Sequence, residues 1–239
     1  ISVHQGRSIQ SRNEKSILRE AGLIQGTISD VGGPTANMYG SSCKLSFPAS
    51  CRRRSCLVPQ ICPNLVMDHE RQLRLLNQIA ALPNVKHLSI ASGIRHDMAL
   101  SSSKYISTLA TKYTGGRLKL APEHSSERVL RLMNKPSVQS FESFSRRYLA
   151  EIKKAGLKRQ IIPYLIIGHP GTTMEDAEDL RDWLRKHHLK VEQVQEFTPT
   201  PMTISTCMYY TGMDFETGMP IHIPSPGEIR KQKNLILPG

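Results

Sequence analysis

Polar or glycine-bearing residues lie just past five predicted strands of the sequence, and these residues have the types and positions that could do chemistry. The five groups are Gly32-Gly33-Pro34, Gly93-Ile94-Arg95, Glu123-His124, His169-Pro170-Gly171 and Thr198-Pro199-Thr200. If the five stretches are parallel strands, their carboxyl ends meet at one rim, and we expect the groups to converge there. Taken singly, a Gly-Gly-Pro is typical of a simple turn, and a histidine in a loop needs no ligand.

Glu123 is the most informative of these residues. It comes almost directly after the apolar stretch from Arg117 to Ala121. A carboxylate in such a place is costly to bury unless it has a partner, such as a ligand hydroxyl or amine. The position favours a ligand contact as much as it favours an ordinary polar residue.

The stretch from Gln160 to Leu180 shows how the chain positions one of these groups. Residues 161–167 are apolar on both faces, which is typical of a strand buried in a parallel sheet. Gly168, Pro170 and Gly171 supply a sharp turn. Thr172 with Glu175, or Thr173 with Asp176, then offers a capping box for a helix. The sequence therefore predicts a strand, a glycine-proline loop and a capped helix.

The same alternation of strand and helix repeats five times and predicts a parallel α/β architecture, most of a barrel. We expect residues 1–206 to form the barrel core, with a cysteine-rich insertion at 39–68, and 207–239 to begin a turn-rich C-terminal extension. The predicted strands span 26–31, 85–91, 117–121, 161–167 and 191–197. Predicted helices begin at 11, at 68 and at 137 or 140, span 101–113 and 125–134, and, after the glycine-proline loop, end near 187–188.

Composition limits the class of protein. The 239 residues include 32 Lys and Arg against 20 Asp and Glu, a formal net charge of +12, so RNA or another anionic partner is an expectation, and a merely solvated basic surface is the alternative. There is no run of about 18 apolar residues, which predicts no membrane span, and no signal peptide is seen. The odd count of five cysteines favours a reducing, cytoplasmic setting.

Four of the cysteines lie within one short stretch. Cys43, Cys51, Cys56 and Cys62 are separated by seven, four and five residues. Four thiolates could hold Zn²⁺ or an auxiliary iron-sulfur cluster in a loop that has few apolar residues to order it. Because the spacing matches no zinc-finger template, reduced cysteines in a surface loop remain the alternative. Cys207 is expected to be packed or free.

Several longer segments together resemble the radical S-adenosylmethionine superfamily and, more narrowly, the YgiQ-type proteins. The resemblance covers nearly the whole chain. It rests on the segments ISDVGGPTANMYG, IASGIRHD, LKLAPEHSSERVLRLMNKPS, PYLIIGHPGTTMEDAEDL and VEQVQEFTPTPMTISTCMYYTG.

The resemblance implies a partial (β/α)6 TIM-like barrel that binds S-adenosylmethionine and a [4Fe-4S] cluster. It implies an oxidoreductase chemistry in which the reduced cluster cleaves S-adenosylmethionine to a 5′-deoxyadenosyl radical, which abstracts hydrogen from a substrate that stays unknown. A reductant such as flavodoxin or ferredoxin would supply the electron.

The resemblance also implies roles for particular residues. Asp30, Gly32, Gly33 and Pro34 fall on the loop that takes the methionine amino group, and Glu123 falls where family members contact the ribose or the methionine moiety. Gly168, His169, Pro170 and Gly171 fall on the turn near the adenine, and Gln195 and Phe197 fall on the last strand, which lends adenine contacts.

The sequence departs from the family pattern at the cluster. The superfamily holds its cluster with Cys-x3-Cys-x2-Cys after the first strand, and no such spacing occurs here. We expect the triad and the first strand to lie upstream of this sequence, so that the printed chain does not cleave S-adenosylmethionine but the full-length protein does. The alternative is a non-catalytic barrel module that binds a structural metal or RNA.

Overall fold

The structure is a computed structural model that describes residue 6 and residues 8–33, 35–45 and 51–237. Helices and strands alternate along the chain, which confirms an α/β fold. The helices are α1 (Glu14–Ala21), α2 (His69–Ala80), α3 (His96–Ala99), α4 (Ser103–Thr108), α5 (Glu127–Leu132), α6 (Val138–Lys154), α7 (Met174–Lys186), α8 (Ile204–Thr211) and α9 (Pro226–Ile236). The strands are β1 (Gly26–Ile28), β2 (Ser42–Cys43), β3 (Leu65–Val66), β4 (Val85–Leu88), β5 (Arg117–Glu123), β6 (Gln160–Ile167) and β7 (Gln195–Glu196).

The chain divides into two compact units. The N-terminal unit comprises Ser8–Leu120 and Ser140–Ile161. The C-terminal unit contains Ala121–Gln139 and the chain from Ile162 onward.

Parallel pairing organises the N-terminal unit. β1 runs parallel to β4, with Ile28 opposite Leu88, and a parallel bridge joins Ile94 to Leu120. The helices bury large apolar side chains that are less than 2 % exposed, among them Leu75, Leu76, Ile79, Tyr105, Ile106, Phe141, Phe144 and Tyr148. Burying each such side chain contributes about 1.5–3 kcal/mol, so this core holds the strand ends of the unit in place.

A short antiparallel hairpin closes the cysteine-rich insertion. β2 pairs with β3, with Ser42 opposite Val66 and Cys43 opposite Leu65. Between them the chain makes few regular hydrogen bonds, and residues 46–50 lie outside the described part. The hairpin therefore brings the two ends of the insertion together at the base of α2.

The C-terminal unit contains β7 and the carboxyl ends of β5 and β6, from Ala121 and from Ile162. β6 runs parallel to β7, with Ile166 opposite Gln195 and Ile167 opposite Glu196. Beneath the sheet lies a buried cluster of Leu165, Ile167, Leu180, Leu184 and Ile236. Because this cluster takes residues from β6, α7 and α9, the last helix is part of the core.

Two sequence predictions need correction. The described strands form three sheets of two, two and three strands, so the partial barrel stays a prediction, and β7 is much shorter than the predicted strand at 191–197. The expectation of a turn-rich stretch from Cys207 onward is wrong, because α8 and α9 lie there. The sequence did carry a signal for α9: Ser225 and Glu228 form a capping box, and Pro226 stands in the first turn.

The helix predicted over 101–113 is interrupted. It consists of α4 and a wider, π-type turn at Leu109–Tyr113. A π-type turn shifts the hydrogen bonding of the backbone, and Arg159 donates to the carbonyl oxygens of Ala110 and Thr111 there. None of the described helices has both the length and the apolar character needed to cross a bilayer.

The N-cap of α2 provides a test of the fold. Asp68 Oδ1 accepts a hydrogen bond from the Arg71 backbone N–H at 2.8 Å. Asp68 is the residue from which the sequence predicts this helix. We expect Asp68→Ala to lower the free energy of unfolding by about 1 kcal/mol, and Asp68→Asn to lower it far less, because asparagine keeps the cap. Urea denaturation of the three chains measures this difference, and an equal loss in both variants would contradict the capping role.

Candidate functional site

Glu123 ends β5 in an unusual backbone conformation. Its φ angle is 67°, in the left-handed region, and the residue is only 7 % exposed. A non-glycine residue in this region costs on the order of 1–3 kcal/mol and persists only where its surroundings hold it, often at ligand sites. The carboxylate Oε1 accepts from Lys135 Nζ at 2.6 Å. This contact fixes one of the two carboxylate oxygens.

His124 follows Glu123 and has a structural role. It is 2 % exposed, and its Nδ1 accepts from the backbone N–H groups of Ser125 and Ser126 at 3.0 and 3.1 Å. The pKa of His124 is lowered to about 4, chiefly by burial; Asp176 opposes this shift, and Arg128 and His169 add to it. The neutral imidazole therefore orders the chain before α5.

The loop from Gly168 to Gly171 needs glycine at both ends. Their φ angles are 70° and 88°. A Cβ on Gly168 would lie 2.7 Å from Ile229 Cγ1, and one on Gly171 would lie 2.3 Å from Leu132 Cδ1. These close approaches mean that the loop is packed directly against α9 and α5.

Residues near the end of the chain hold this loop. The Gly168 N–H donates to Oε1 of buried Gln232 at 2.9 Å, and the Gly171 N–H donates to the His222 carbonyl at 2.7 Å. Arg128 Nη1 donates to the Gly171 carbonyl at 2.7 Å. Sequence reasoning missed Gln232 and Arg128 as contacts of the loop, because neither belongs to a local motif with it.

His169 is locked in one tautomer. Its Nδ1 is 2.8 Å from the Pro170 carbonyl oxygen, which can only accept, so Nδ1 carries the proton. Nε2 then accepts from the Ser205 hydroxyl at 2.8 Å. The pKa of His169 is lowered to about 4, chiefly by burial; the Pro170 contact opposes this shift, and Lys135 adds to it. Both nitrogens of this neutral ring are engaged, so it is not a free ligand.

The start of α7 settles one alternative from the sequence. The capping box is formed by Thr173 and Asp176, whereas Thr172 Oγ1 donates to the His169 carbonyl. Burial raises the pKa of Asp176, but the backbone and hydroxyl groups of Thr173, together with Arg128, outweigh burial and lower it. The ion pair of Asp176 with Arg128, at 2.5 Å, ties α7 to α5 beside the loop.

An aromatic side chain from the end of β7 reaches the loop. Phe197 packs edge-on against the His169 ring with a centroid distance of 5.1 Å, and it also contacts Tyr209 of α8 at 5.8 Å. Gln195 is exposed on β7. The C-terminal unit thus brings together Phe197, His169 and the glycine loop.

In the N-terminal unit, the predicted site residue Asp30 is bonded to residues that follow β4. Asp30 Oδ1 accepts from the N–H groups of Ala91 and Ser92 at 2.9 and 3.0 Å, and Oδ2 accepts from the Ser92 hydroxyl. A Cβ on Gly32 would lie 2.5 Å from Ser92 Cβ, whereas Gly33 has open space around it. Pro34 lies outside the described residues. Asp30 therefore links the loop after β1 to the loop after β4.

None of the four clustered cysteines forms a disulfide bond in the described part of the chain. Cys43 is exposed, Cys51 and Cys56 are half-buried, and Cys62 is buried. Within the described residues, no group of three or more His, Cys, Asp or Glu side chains has an arrangement that could hold a metal ion. The metal at these cysteines stays a prediction. Cys207 is exposed on α8.

A cavity of about 690 Å³ lies elsewhere, in the N-terminal unit. Lys86, Lys112 and Arg159 are among its lining residues, and none of the predicted site residues is. It opens beside β4 and the π-type turn. Because α/β proteins bind ligands at the carboxyl ends of their strands, we place the candidate site at Glu123 and the glycine loop instead.

Comparison with known proteins identifies relatives along nearly the whole chain, as the motifs predicted. The chain is 45 % identical to a UPF0313 protein of Methanocella arvoryzae over 99 % of its length and 41 % of that protein. The corresponding figures for the UPF0313 protein of Geobacter sulfurreducens are 45 %, 99 % and 40 %, and for that of Pseudomonas syringae 46 %, 89 % and 28 %. The chain is a homologue of the UPF0313 proteins, and it spans about two fifths or less of the length of these relatives.

A family described as a domain of unknown function, DUF3362, matches residues 192–221. Among solved structures, coproporphyrinogen III oxidase from Escherichia coli, described as a radical SAM enzyme, gives a TM-score of 0.47 at 17 % identity, over 72 % of this chain and 36 % of that one. Elp3 of Methanocaldococcus infernus gives 0.41 at 14 %, over 69 % and 35 %. Likenesses of this size do not define an activity.

The packing of Gly168 against α9 yields a test. We expect Gly168→Ala to lower the free energy of unfolding by about 2–4 kcal/mol, because it adds left-handed strain and a clash with Ile229. Gly218→Ala is the matched control: its φ angle is 67° but nothing lies within 4 Å, so it should cost about 1 kcal/mol. Similar losses in the two variants, measured by urea denaturation, would mean that α9 does not confine the loop.

The buried histidines predict a dependence of stability on pH. Because the folded-state pKa of His169 is about 4, the unfolded chain takes up the proton first, and stability is lost as the pH falls from about 6.5 towards 4. At pH 5 one such histidine accounts for about 2 kcal/mol. Between pH 7 and pH 5, the free energy of unfolding should fall less in His169→Gln than in the wild type. In the exposed control His87→Gln it should fall as much as in the wild type. Urea denaturation at both pH values measures these differences. A loss as large in His169→Gln as in the wild type would refute this assignment.

Proposed function

We propose that this chain binds S-adenosylmethionine and is the partial-barrel portion of a radical S-adenosylmethionine iron-sulfur enzyme. The observation that carries the proposal is Glu123: a carboxylate on a strained backbone, with a side chain that is 10 % exposed and an Oε1 held by Lys135, at the end of a strand in a segment that resembles this superfamily. A ligand donor at Oε2 would add a second charge-assisted hydrogen bond to this carboxylate.

The residues of the C-terminal unit fit the nucleoside part of such a ligand. Glu123 Oε2 would accept from a ribose hydroxyl, because a carboxylate oxygen is a strong acceptor for hydroxyl donors. Phe197 offers an apolar ring for the adenine, and the backbone of Gly168 to Gly171 can approach a flat ring closely where no Cβ stands. Gln195 remains a proposed adenine contact. Asp30, Gly32, Gly33 and Pro34 remain proposed contacts of the methionine amino group.

The residues of this chain do not fit the [4Fe-4S] cluster. No Cys-x3-Cys-x2-Cys spacing occurs in it, so no reaction step is assigned to these residues. Reductive cleavage of S-adenosylmethionine, the use of a flavodoxin-like or ferredoxin-like reductant, and a cytoplasmic location are proposals for the longer protein. There the cluster ligands would lie in the length that this chain does not match. Its substrate stays open.

A second candidate function is a metal-stapled or RNA-binding module. One observation favours it: the chain carries a net charge of +12. RNA binding through such charge would weaken steeply with salt, whereas binding of a nucleoside through Glu123 and Phe197 would not. A zinc ion or an auxiliary iron-sulfur cluster at Cys43, Cys51, Cys56 and Cys62 is compatible with either function.

Calorimetric titration with S-adenosylmethionine tests the first proposal. We expect the wild-type chain to bind, Glu123→Gln to bind at least about tenfold more weakly because a charge-assisted hydrogen bond is lost, and Glu178→Gln, an exposed control on α7, to bind like the wild type. If the wild type binds only a single-stranded RNA oligonucleotide, with strong salt dependence, the second function replaces the first.

A further inference from the structure

We propose that Lys135 is the positioning residue of this site: it fixes the Glu123 carboxylate through Oε1 and leaves Oε2 for the ligand. The inference rests on the proposed function, since it concerns how the same carboxylate is prepared for binding. In this arrangement Lys135 acts through Glu123 and does not itself contact the ligand.

The end of α5 determines where Lys135 lies. Asn134 adopts a left-handed conformation with φ of 54°, and its N–H donates to the Arg131 carbonyl. The Lys135 N–H donates to the Leu130 carbonyl at 2.9 Å. This pair of bonds is the Schellman motif, in which a left-handed residue, commonly glycine or asparagine, ends a helix. The turn directs the lysine back towards the end of β5.

Charge makes this contact strong. The Glu123 side chain is 10 % exposed and that of Lys135 is 37 % exposed, so the pair is only partly screened by water. Removing one partner of a buried ion pair leaves the other charge uncompensated, which is strongly unfavourable. The ammonium group of Lys135 therefore fixes the position of this carboxylate.

The other charged and titratable groups around the site do not replace Lys135. His124 and His169 are neutral above about pH 5, because burial lowers the pKa of both to about 4. Arg128 bonds the Gly171 carbonyl and Asp176. In the described part of the chain, Lys135 is the cation found in contact with Glu123.

The variants Lys135→Met, Lys135→Arg and Lys104→Met test the inference. Lys104 is the matched control, because it pairs with Glu70 at 2.7 Å but is 69 % exposed. We would titrate each chain with S-adenosylmethionine at pH 6, 7 and 8. The ligand's own titration is common to all chains, and neither buried histidine titrates in this range.

We expect Lys135→Met to bind S-adenosylmethionine about tenfold more weakly than the wild type at each pH, because the Glu123 carboxylate loses the charge-assisted contact that positions it. Lys135→Arg and Lys104→Met should follow the wild type. No loss of affinity in Lys135→Met, or an equal loss in Lys135→Arg, would overturn the positioning role.

A second measurement needs no ligand. In protein with ¹³C-labelled glutamate carboxyl groups, with the Glu123 signal assigned from Glu123→Gln, the carboxyl chemical shift of Glu123 should change in Lys135→Met and stay in place in Lys104→Met. An unmoved Glu123 signal refutes the inference. If the wild type binds no S-adenosylmethionine, the proposed function fails, and this spectrum still decides the role of Lys135.

A double variant keeps the test valid if Lys135→Met unfolds. Combining it with Glu123→Gln removes both charges, and we expect the double variant to recover stability relative to Lys135→Met alone. Simple addition of the two single losses would show that the pair is not coupled, and would overturn the inference.

Discussion

The need to compensate buried polar groups governs the structure at the ends of β5 and β6. A charge or an imidazole withdrawn from water is costly unless it is paired, and here the pairing comes from other parts of the chain. Glu123 is paired by a lysine at a helix end, and His169 by a carbonyl and a serine hydroxyl. The result is a set of polar groups that are fixed in place at the ends of these two strands.

The C-terminal segment belongs to this arrangement. α9 contributes Ile236 to the apolar cluster under the sheet, and its Gln232 bonds the amide of the glycine loop. Ile229 fills the space in front of Gly168, where only glycine avoids a clash. The loop is thus shaped by contacts on three sides rather than by its own sequence alone. Such support is what keeps left-handed glycines in one conformation, since glycine by itself has the greatest freedom to move.

Local signals account for what the sequence could predict. Apolar runs, caps and glycine turns located the strands, the N-cap Asp68 and the capping box of α7, because these features depend on residues only three or four positions apart. The same local logic placed Glu123 and His169 at strand ends. Ser225 and Glu228 are a local signal of the same kind for α9, although glycines and prolines surround them.

The partners of the site residues could not be predicted in this way. Lys135 and Gln232 act through contacts that depend on tertiary packing, and no short-range pattern distinguishes them from other lysines and glutamines. The partners of Asp30 could not be predicted either. The family resemblance places Asp30 on the loop that takes the methionine amino group, and the structure shows both of its carboxylate oxygens bonded to residues after β4.

The bond between Gly168 and Gln232 joins residues that are 64 positions apart in the chain. A ribosome adds about 5–20 residues each second, so the glycine loop is made several seconds before the glutamine that holds it. Until α9 has emerged and docked, the loop amide has no such acceptor, and Gly168 is free to sample other conformations. The loop from Gly168 to Gly171 therefore reaches its final conformation only after α9 has been made and has docked.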